Sequence, residues 1–179
     1  PNDSSWKKCR GFNGEKGGII MEERFLISVI AKNRAGAFSR ISGLFTQRGY
    51  NMESIIAGKS EKDGYSRITI QVTESASNID QIVKQLYKII DVEKVRVFDN
   101  TAVAREHMLI KIKSDKNTRS DIIEIANIYR AKILNVTQDN LIIELTGDVS
   151  KIEGFITVMQ DYGIVEIART GLTAMARTL

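Results

Sequence analysis

The sequence contains only one cysteine, one histidine and one proline among 179 residues, and each scarcity excludes a class of structure. With Cys9 as its sole thiol the chain forms no internal disulfide, so a reducing cytoplasm is the simplest setting. A single proline argues against proline-rich linkers or recognition segments. No apolar run approaches the roughly 18 residues of a membrane-spanning helix, and residues 1–20 lack the apolar stretch of a secretory signal.

Residues suited to catalysis or metal binding are also scarce. His107 has no cysteine nearby, which argues against a metal site or a serine–histidine pair, and we interpret it as a structural or solvent-exposed histidine. The motif of a nucleotide-binding P-loop is absent. Glu22, Glu23 and Glu53 are isolated carboxylates, which is typical of solvated charges. The sequence therefore predicts neither a catalytic residue nor a metal ligand.

The net charge of +4 is unevenly distributed along the chain. Residues 1–20 contribute +2 of it, and no basic stripe typical of nucleic-acid binding is evident after residue 20. The run Glu-Lys-Gly-Gly at 15–18 has purine-rich codons, as a bacterial ribosome-binding site does, and it precedes Met21. One hypothesis is that Met21 is the native start and residues 1–20 are a translated leader. The other is that residues 1–21 form an ordinary disordered tail.

Two units of similar length follow this tail, and in each the pattern predicts the order β-α-β-β-α-β. In the first, residues 22–98, we predict strands at 25–30, 51–59, 67–72 and 92–98 and a helix at 37–48. A capping-box variant at Ser77-x-x-Asp80 predicts a second helix, which bears Ile79, Ile82, Val83, Leu86 and Ile90. In the second, residues 107–179 after a linker at 99–106, we predict strands at 108–113, 132–137, 141–146 and 164–169, and helices opened by a capping box at Thr118-x-x-Asp121 and by Asp148.

This order predicts an α+β protein of two tandem ferredoxin-like domains, each an antiparallel sheet with helices on one face. The open edges favour side-by-side homodimerisation. RNA-binding domains share the fold and stack bases on aromatic residues of the central strands. Here those strands offer Ile68, Ile70, Val72 and Val95, and Tyr65 alone makes no platform, so nucleic-acid binding is disfavoured.

One candidate binding site lies in segment 33–58. A strand-like run ends before Asn33, a tight turn is expected at Gly36, and the helix that follows is expected to stop at Gly49. A helix that begins at a glycine turn points free N–H groups outward, and these attract a carboxylate or a phosphate. We expect Gly36, Ala37 and Phe38 to supply those groups.

The other half of the candidate site combines polar and apolar residues. Asn33 and Asn51 carry amide oxygens that accept hydrogen bonds from an ammonium group, and Met52 and Ile55 are suited to line an apolar pocket. A small zwitterion with an aliphatic side chain fits all of these features. The alternative is that Gly36 is only a turn and Asn51 only a helix exit.

The run NRAGAFSRISGLFTQRGYNMES, residues 33–54, closely resembles the ACT domain of the regulatory (small) subunits of acetolactate synthase, also called acetohydroxyacid synthase. Residues 105–111 and 165–171 resemble the second domain and C-terminus of that family, so the resemblance covers about residues 22–179. It implies a non-catalytic subunit that binds the large catalytic subunit, raises its activity and confers feedback inhibition by valine, or another branched-chain amino acid, in branched-chain amino acid biosynthesis.

The resemblance also implies where cofactors and effector bind. The family's catalytic subunit carries thiamine diphosphate, magnesium and FAD, so none is expected in this chain. The effector site lies between two ACT domains of a homodimer, and its glycine, turn asparagine and strand asparagine fall on Gly36, Asn33 and Asn51. ACT turns often carry proline where Ala35 stands. Without it the turn is less preorganised, which lowers the expected effector affinity.

Two alternatives to this assignment stay open. One is a stand-alone ACT-type amino-acid sensor without an enzyme partner, and the other is a small α+β enzyme, which the lack of nucleophile–base pairs disfavours. The second unit has Asp115-Lys116-Asn117-Thr118 in place of an Asn-x-x-Gly turn, so we expect effector binding in the first unit only.

Overall fold

The computed structural model describes residues 23–99 and 101–177. These residues form two β-α-β-β-α-β repeats, each with a four-stranded antiparallel sheet, which confirms the predicted fold class. The chain divides into two compact units, residues 1–103 with 174–179 and residues 104–173. The tail at 1–20, and with it Cys9 and the leader hypothesis, lies outside the described residues.

The first repeat has its sheet in the order β2-β3-β1-β4. Its elements are β1 (Glu23–Lys32), α1 (Ala37–Arg48), β2 (Met52–Lys59), β3 (Tyr65–Glu74), α2 (Ala76–Leu86) and β4 (Val92–Phe98). Alternate residues of each strand face the helices, so Ile27, Ile70 and Val95 are buried with Ile41 and Phe45 of α1 in one core. The four residues that we compared with an RNA-binding platform all belong to this core, and their polar neighbours lie on the opposite face of the sheet.

The helices of this repeat begin and end at backbone signals. Helix α1 starts after Gly36 and stops at Gly49, both in the left-handed conformation, as the sequence predicts. Helix α2 is capped by Ser75, whose hydroxyl accepts from the N–H of Asn78 at 3.3 Å, so the predicted capping box at Ser77 was wrong. Ser75 is extended and directly follows β3, which brings the helix start forward. Ile90, predicted on this helix, lies beyond its end and is 90% exposed.

The second repeat has its sheet in the order β6-β7-β5-β8. Its elements are β5 (Val103–Lys113), α3 (Arg119–Ile128), β6 (Lys132–Val136), β7 (Asn140–Gly147), α4 (Val149–Met159), a 3-10 turn (Gln160–Tyr162) and β8 (Ile164–Met175). A separate core forms here, in which Tyr129 packs edge-to-face on the fully buried Phe155 with ring centroids 5.1 Å apart.

Strand β5 begins inside the predicted linker. Residues 103–106 are already strand, and the buried carboxylate of Glu106 accepts from Arg169 Nε at 2.7 Å and Nη2 at 2.8 Å. Asp148 caps α4 as predicted, with the N–H of Lys151 at 2.9 Å. Helix α3 begins directly after Thr118 as predicted, but the hydroxyl of Thr118 makes no cap bond with this helix and donates to Asp115 Oδ1 instead.

Candidate functional site

The β1–α1 turn, residues 33–36, is held by backbone hydrogen bonds. The N–H of Asn33 donates to the carbonyl of Gly64 at 2.8 Å, which ties the turn to the β2–β3 hairpin. Gly36 adopts φ +80°, a conformation that L side chains rarely adopt, so glycine is required here. The chain can therefore turn into α1 without using a side chain as a cap.

Several N–H groups at the start of α1 lack an acceptor within the part of the chain that the structure describes. The first intrahelical bond runs from the N–H of Arg40 to the carbonyl of Gly36, and Gly36, Phe38 and Ser39 donate to no group of these residues. The structure differs from expectation for Ala37, whose N–H donates to the carbonyl of Arg34 at 3.1 Å. No acidic residue lies in the first turn to compete for these donors.

Arg40 adds a positive charge beside this turn, and sequence reasoning missed it. A Cβ built on Gly36 would lie 3.1 Å from Arg40 Nη1, so the guanidinium borders the glycine. Its other terminal nitrogen pairs with Asp91, whose side chain is 5% exposed. The signal was available in the four-residue spacing from Gly36 to Arg40, which places both at the same end of the helix. The turn thus combines free N–H donors with a fixed cation, a combination that suits a carboxylate.

The remaining predicted site residues differ in exposure. Asn33, Ala35 and Asn51 are exposed. Phe38 is 43% exposed at the helix start. Met52 and Ile55 are half-buried, because they lie on the helix-covered side of β2 and pack against the first core.

The strand register separates the two halves of the predicted site within one chain. Lys32, which precedes the turn, pairs with Tyr65 of β3. Met52 instead is level with Val72, which pairs with Phe25 at the other end of β1. Seven strand residues at about 3.3 Å each put these ends roughly 20 Å apart. The turn and the start of β2 therefore do not meet in a single copy of the chain.

The corresponding turn of the second repeat is occupied by its own side chain. Asp115 Oδ1 accepts from the N–H groups of Asn117 and Thr118, both at 2.8 Å, and from the hydroxyl of Thr118 at 3.0 Å. These bonds, first among them the one from the Thr118 N–H, hold the pKa of Asp115 below its usual value.

No other cluster resembles a catalytic or metal centre in the described ranges. His107 Nε2 lies 3.0 Å from Glu144 Oε1 on the uncovered face of the second sheet, and the ring is part exposed. Within residues 23–99 and 101–177, no group of three or more His, Cys, Asp or Glu is placed to hold a metal ion. Among the same residues, no helix has both the length and the apolar character needed to span a bilayer.

The fold of the first repeat is that of the ACT class of domains. The family model described as AHAS small subunit-like ACT domain matches residues 27–94, and the model of the small subunit of acetolactate synthase matches residues 105–178. The chain belongs to the family of acetolactate synthase small subunits, as its similarity to individual members also shows.

Two prokaryotic relatives match along nearly their whole length. The probable acetolactate synthase small subunit of Archaeoglobus fulgidus is 43% identical over 151 residues, which cover 84% of this chain and 95% of the relative. That of Bacillus subtilis is 45% identical over 154 residues, covering 85% and 90%. The crystal structure of the small subunit from Thermotoga maritima superposes with a TM-score of 0.83 at 39% identity, covering 88% of this chain and 99% of that one.

Proposed function

We propose that this protein binds the catalytic subunit of acetolactate synthase, raises its activity and makes it sensitive to feedback inhibition by valine. Membership in the small-subunit family supports this role, because the family name implies a larger partner subunit. Bound to that partner, the chain acts in the cytoplasm as a regulatory subunit and contributes no catalytic group of its own.

The observation that carries the proposal is the open turn at Gly36. Valine is a zwitterion, and its carboxylate fits the free N–H groups of Gly36 and Phe38 beside the Arg40 guanidinium. The amide oxygens of Asn33 and Asn51 are suited to its ammonium group. The carboxylate and the ammonium group of valine would each contact different residues of the site. We therefore expect an amino acid to bind more tightly than a simple carboxylate.

A homodimer brings the two separated halves of this site together. Among the described residues, strand β2 is an edge of the first sheet and pairs with β3 alone. Antiparallel pairing of β2 with its copy would place the partner's Met52 end beside the Lys59 end of this chain. Lys59 pairs with Ser66, which is level with Ala31 near the turn. The turn of one chain then faces residues 51–55 of the other, where Met52 and Ile55 offer an apolar surface for the isopropyl group.

Regulation follows if valine and the catalytic subunit favour different arrangements of this dimer interface. A ligand shifts an equilibrium only by its difference in affinity for the two states, and a site made from both chains senses their arrangement directly. Valine bound between the chains would therefore favour the dimer geometry in which the catalytic subunit is less active.

Calorimetric titration with valine, and with lysine as the control amino acid, tests the effector site. We expect valine to bind at one equivalent or fewer per chain and lysine not to bind. An acetolactate assay tests the partner: the catalytic subunit should gain activity on addition of this chain and lose the gain on addition of valine. Valine binding without any effect on the catalytic subunit would instead indicate a stand-alone sensor.

A further inference from the structure

The face of the first sheet opposite its helices gathers cations that lie far apart in the sequence. In the strand register, Ile30 at the centre of the sheet pairs with Arg67 of β3 on one side and with Lys94 of β4 on the other. Two residues earlier on β1, and on the same face of the sheet, Ser28 pairs with Arg96 of β4. Residues paired across neighbouring strands have Cβ atoms about 5 Å apart, so three positive side chains surround these two central positions.

These cations exceed the acids that face them. Arg67 Nη2 pairs with Glu61 Oε2 at 3.2 Å, and its Nη1 lies 3.4 Å from the hydroxyl of Ser28. No carboxylate of the described residues lies within 4 Å of the charged groups of Lys94 or Arg96. The nearby Asp99 has its pKa lowered mainly by hydrogen bonds from Thr101, with a smaller contribution from the charge of Arg96.

A pocket of about 380 Å³ opens over this part of the sheet. Its lining includes Arg67, Lys94 and Arg96 together with Ser28, which is only 4% exposed. Apolar lining comes from Ile30, which lies between Arg67 and Lys94 in the strand register, and from Phe98 and Met175. Glu61 stands at the rim, where its side chain is 72% exposed. The pocket thus offers cationic contacts for a strongly anionic group and apolar contacts for a small organic one.

We propose that this pocket binds a small phosphate-bearing metabolite. Three cations against one carboxylate leave an excess of two positive charges, which matches the charge of about −1.5 to −2 of a phosphate monoester at neutral pH. The forked guanidinium groups of Arg67 and Arg96 are suited to pairs of phosphate oxygens. The site lies on the sheet face opposite the helices, so it is separate from the turn at Gly36 and does not depend on the function proposed above.

Titration of the full chain with pyrophosphate tests the proposal, with ionic strength held constant by potassium chloride. The test variant is Lys94→Gln with Arg96→Gln. The matched control, Lys84→Gln with Lys88→Gln, removes the same charge from exposed positions on and after α2. We expect saturable binding that is about tenfold weaker or worse in the test variant and unchanged in the control, since charge-assisted hydrogen bonds are among the stronger polar contacts. Malonate, a dicarboxylate without phosphate, should bind more weakly than pyrophosphate.

Three results would overturn the proposal. They are the absence of saturable pyrophosphate binding, an equal loss of binding in the control variant, and binding of malonate as tight as that of pyrophosphate. Circular dichroism establishes whether the double variant is folded. If it is not folded, the single variant Lys94→Gln is tested instead, because the Lys94 side chain is exposed and its replacement should not disturb the fold. Unchanged pyrophosphate binding in this single variant would contradict the site.

Discussion

The turns that lead into α1 and α3 occupy the same place in the two repeats but treat their N–H groups in opposite ways. In the second repeat, the Asp115 carboxylate accepts from two N–H groups of the turn. In the first, Gly36 provides no side-chain acceptor, and the N–H groups of Phe38 and Ser39 have none in the described residues. One repeat therefore carries its anion as part of the chain, and the other can take one from solution.

The repeats also differ in how they use a buried carboxylate. Asp91 of the first repeat pairs with Arg40, whose side chain is 50% exposed and reaches the Gly36 turn. Glu106 of the second repeat pairs with Arg169, which also reaches Glu153 of α4 at 2.7 Å. The first pair links a buried charge to the candidate effector site, whereas the second ties strand to helix within the second repeat. The comparison is consistent with the proposed ligand binding in the first repeat and with a structural role for this part of the second.

Replacement of Arg169 by leucine should give the largest effect and should affect stability alone. It leaves the Glu106 carboxylate buried without its cation, and we expect the free energy of unfolding to fall by about 3 kcal/mol. Urea denaturation measures this, with valine titration of the folded variant alongside. The control is Glu166→Gln, on the same strand as Arg169. It removes an exposed ion pair with Lys111 and should lower the free energy of unfolding by under about 1 kcal/mol. Loss of valine binding in folded Arg169→Leu would contradict the separation of roles.

Replacement of Gly36 by aspartate should abolish the proposed feedback. The new carboxylate would repel that of valine and compete for the Arg40 guanidinium, and we expect affinity to fall by roughly 100-fold, since an unpaired charge at a binding site costs several kcal/mol. Gly49→Asp is the matched control, because Gly49 has a similar φ of +69° at the other end of α1. Both variants bear the left-handed strain, but only Gly36→Asp should lose valine in calorimetry. If a holoenzyme that contains Gly36→Asp were still inhibited normally by valine, the turn would not be part of the effector site.

Replacement of Asn33 by alanine should have an intermediate effect. The ammonium group of valine would lose one acceptor, and we expect binding to weaken by about 1–3 kcal/mol, the usual cost of an unpaired polar group. Asn117→Ala makes the same change in the second turn and should leave the dissociation constant for valine unaltered. Equal losses in the two variants would indicate that both turns, or neither, contact the effector.

Replacement of Asp115 by alanine should destabilise the second repeat slightly, and only above acidic pH. The folded-state pKa of Asp115 is lowered, so its contribution to stability is present above the unfolded value of about 3.9 and is lost as the pH falls through the folded value. Thermal unfolding at pH 7 and at about pH 2.5 measures the difference, which should shrink at the lower pH. Asp115→Asn, which keeps an oxygen acceptor, should be the milder change. A difference that grows on acidification would show that this carboxylate is not the acceptor for the turn.

The elements of the fold were accessible from the sequence where a local signal was unambiguous. Helix α1 has the predicted bounds because apolar periodicity and two glycines agree at its ends. The start of α2 was missed because Ser75 and Ser77 both suit a cap, and only the end of β3 decides between them. The local sequence pattern predicts that a helix forms here more reliably than it predicts whether Ser75 or Ser77 caps it.

Only one of the two candidate sites could be predicted from the sequence, because the residues of the other lie far apart along the chain. Gly36 and Asn33 stand within four residues, and their pattern is visible without a structure. Arg67 and Arg96 lie 29 positions apart and meet near Ser28 only through the pairing of three strands. Sequence reasoning therefore identified the turn and overlooked the basic pocket.

The open turn also gives the protein a built-in reporter for isotope exchange. Amide hydrogens without an acceptor exchange quickly with deuterated water, whereas those held by a hydrogen bond wait for the bond to open. The amides of Phe38 and Ser39 therefore belong to the fast class in the free chain, and those of Asn117 and Thr118 to the slow one. A ligand that occupies the first turn moves its amides toward the behaviour of the second, so bound effector is visible at single-residue resolution without any label on the ligand.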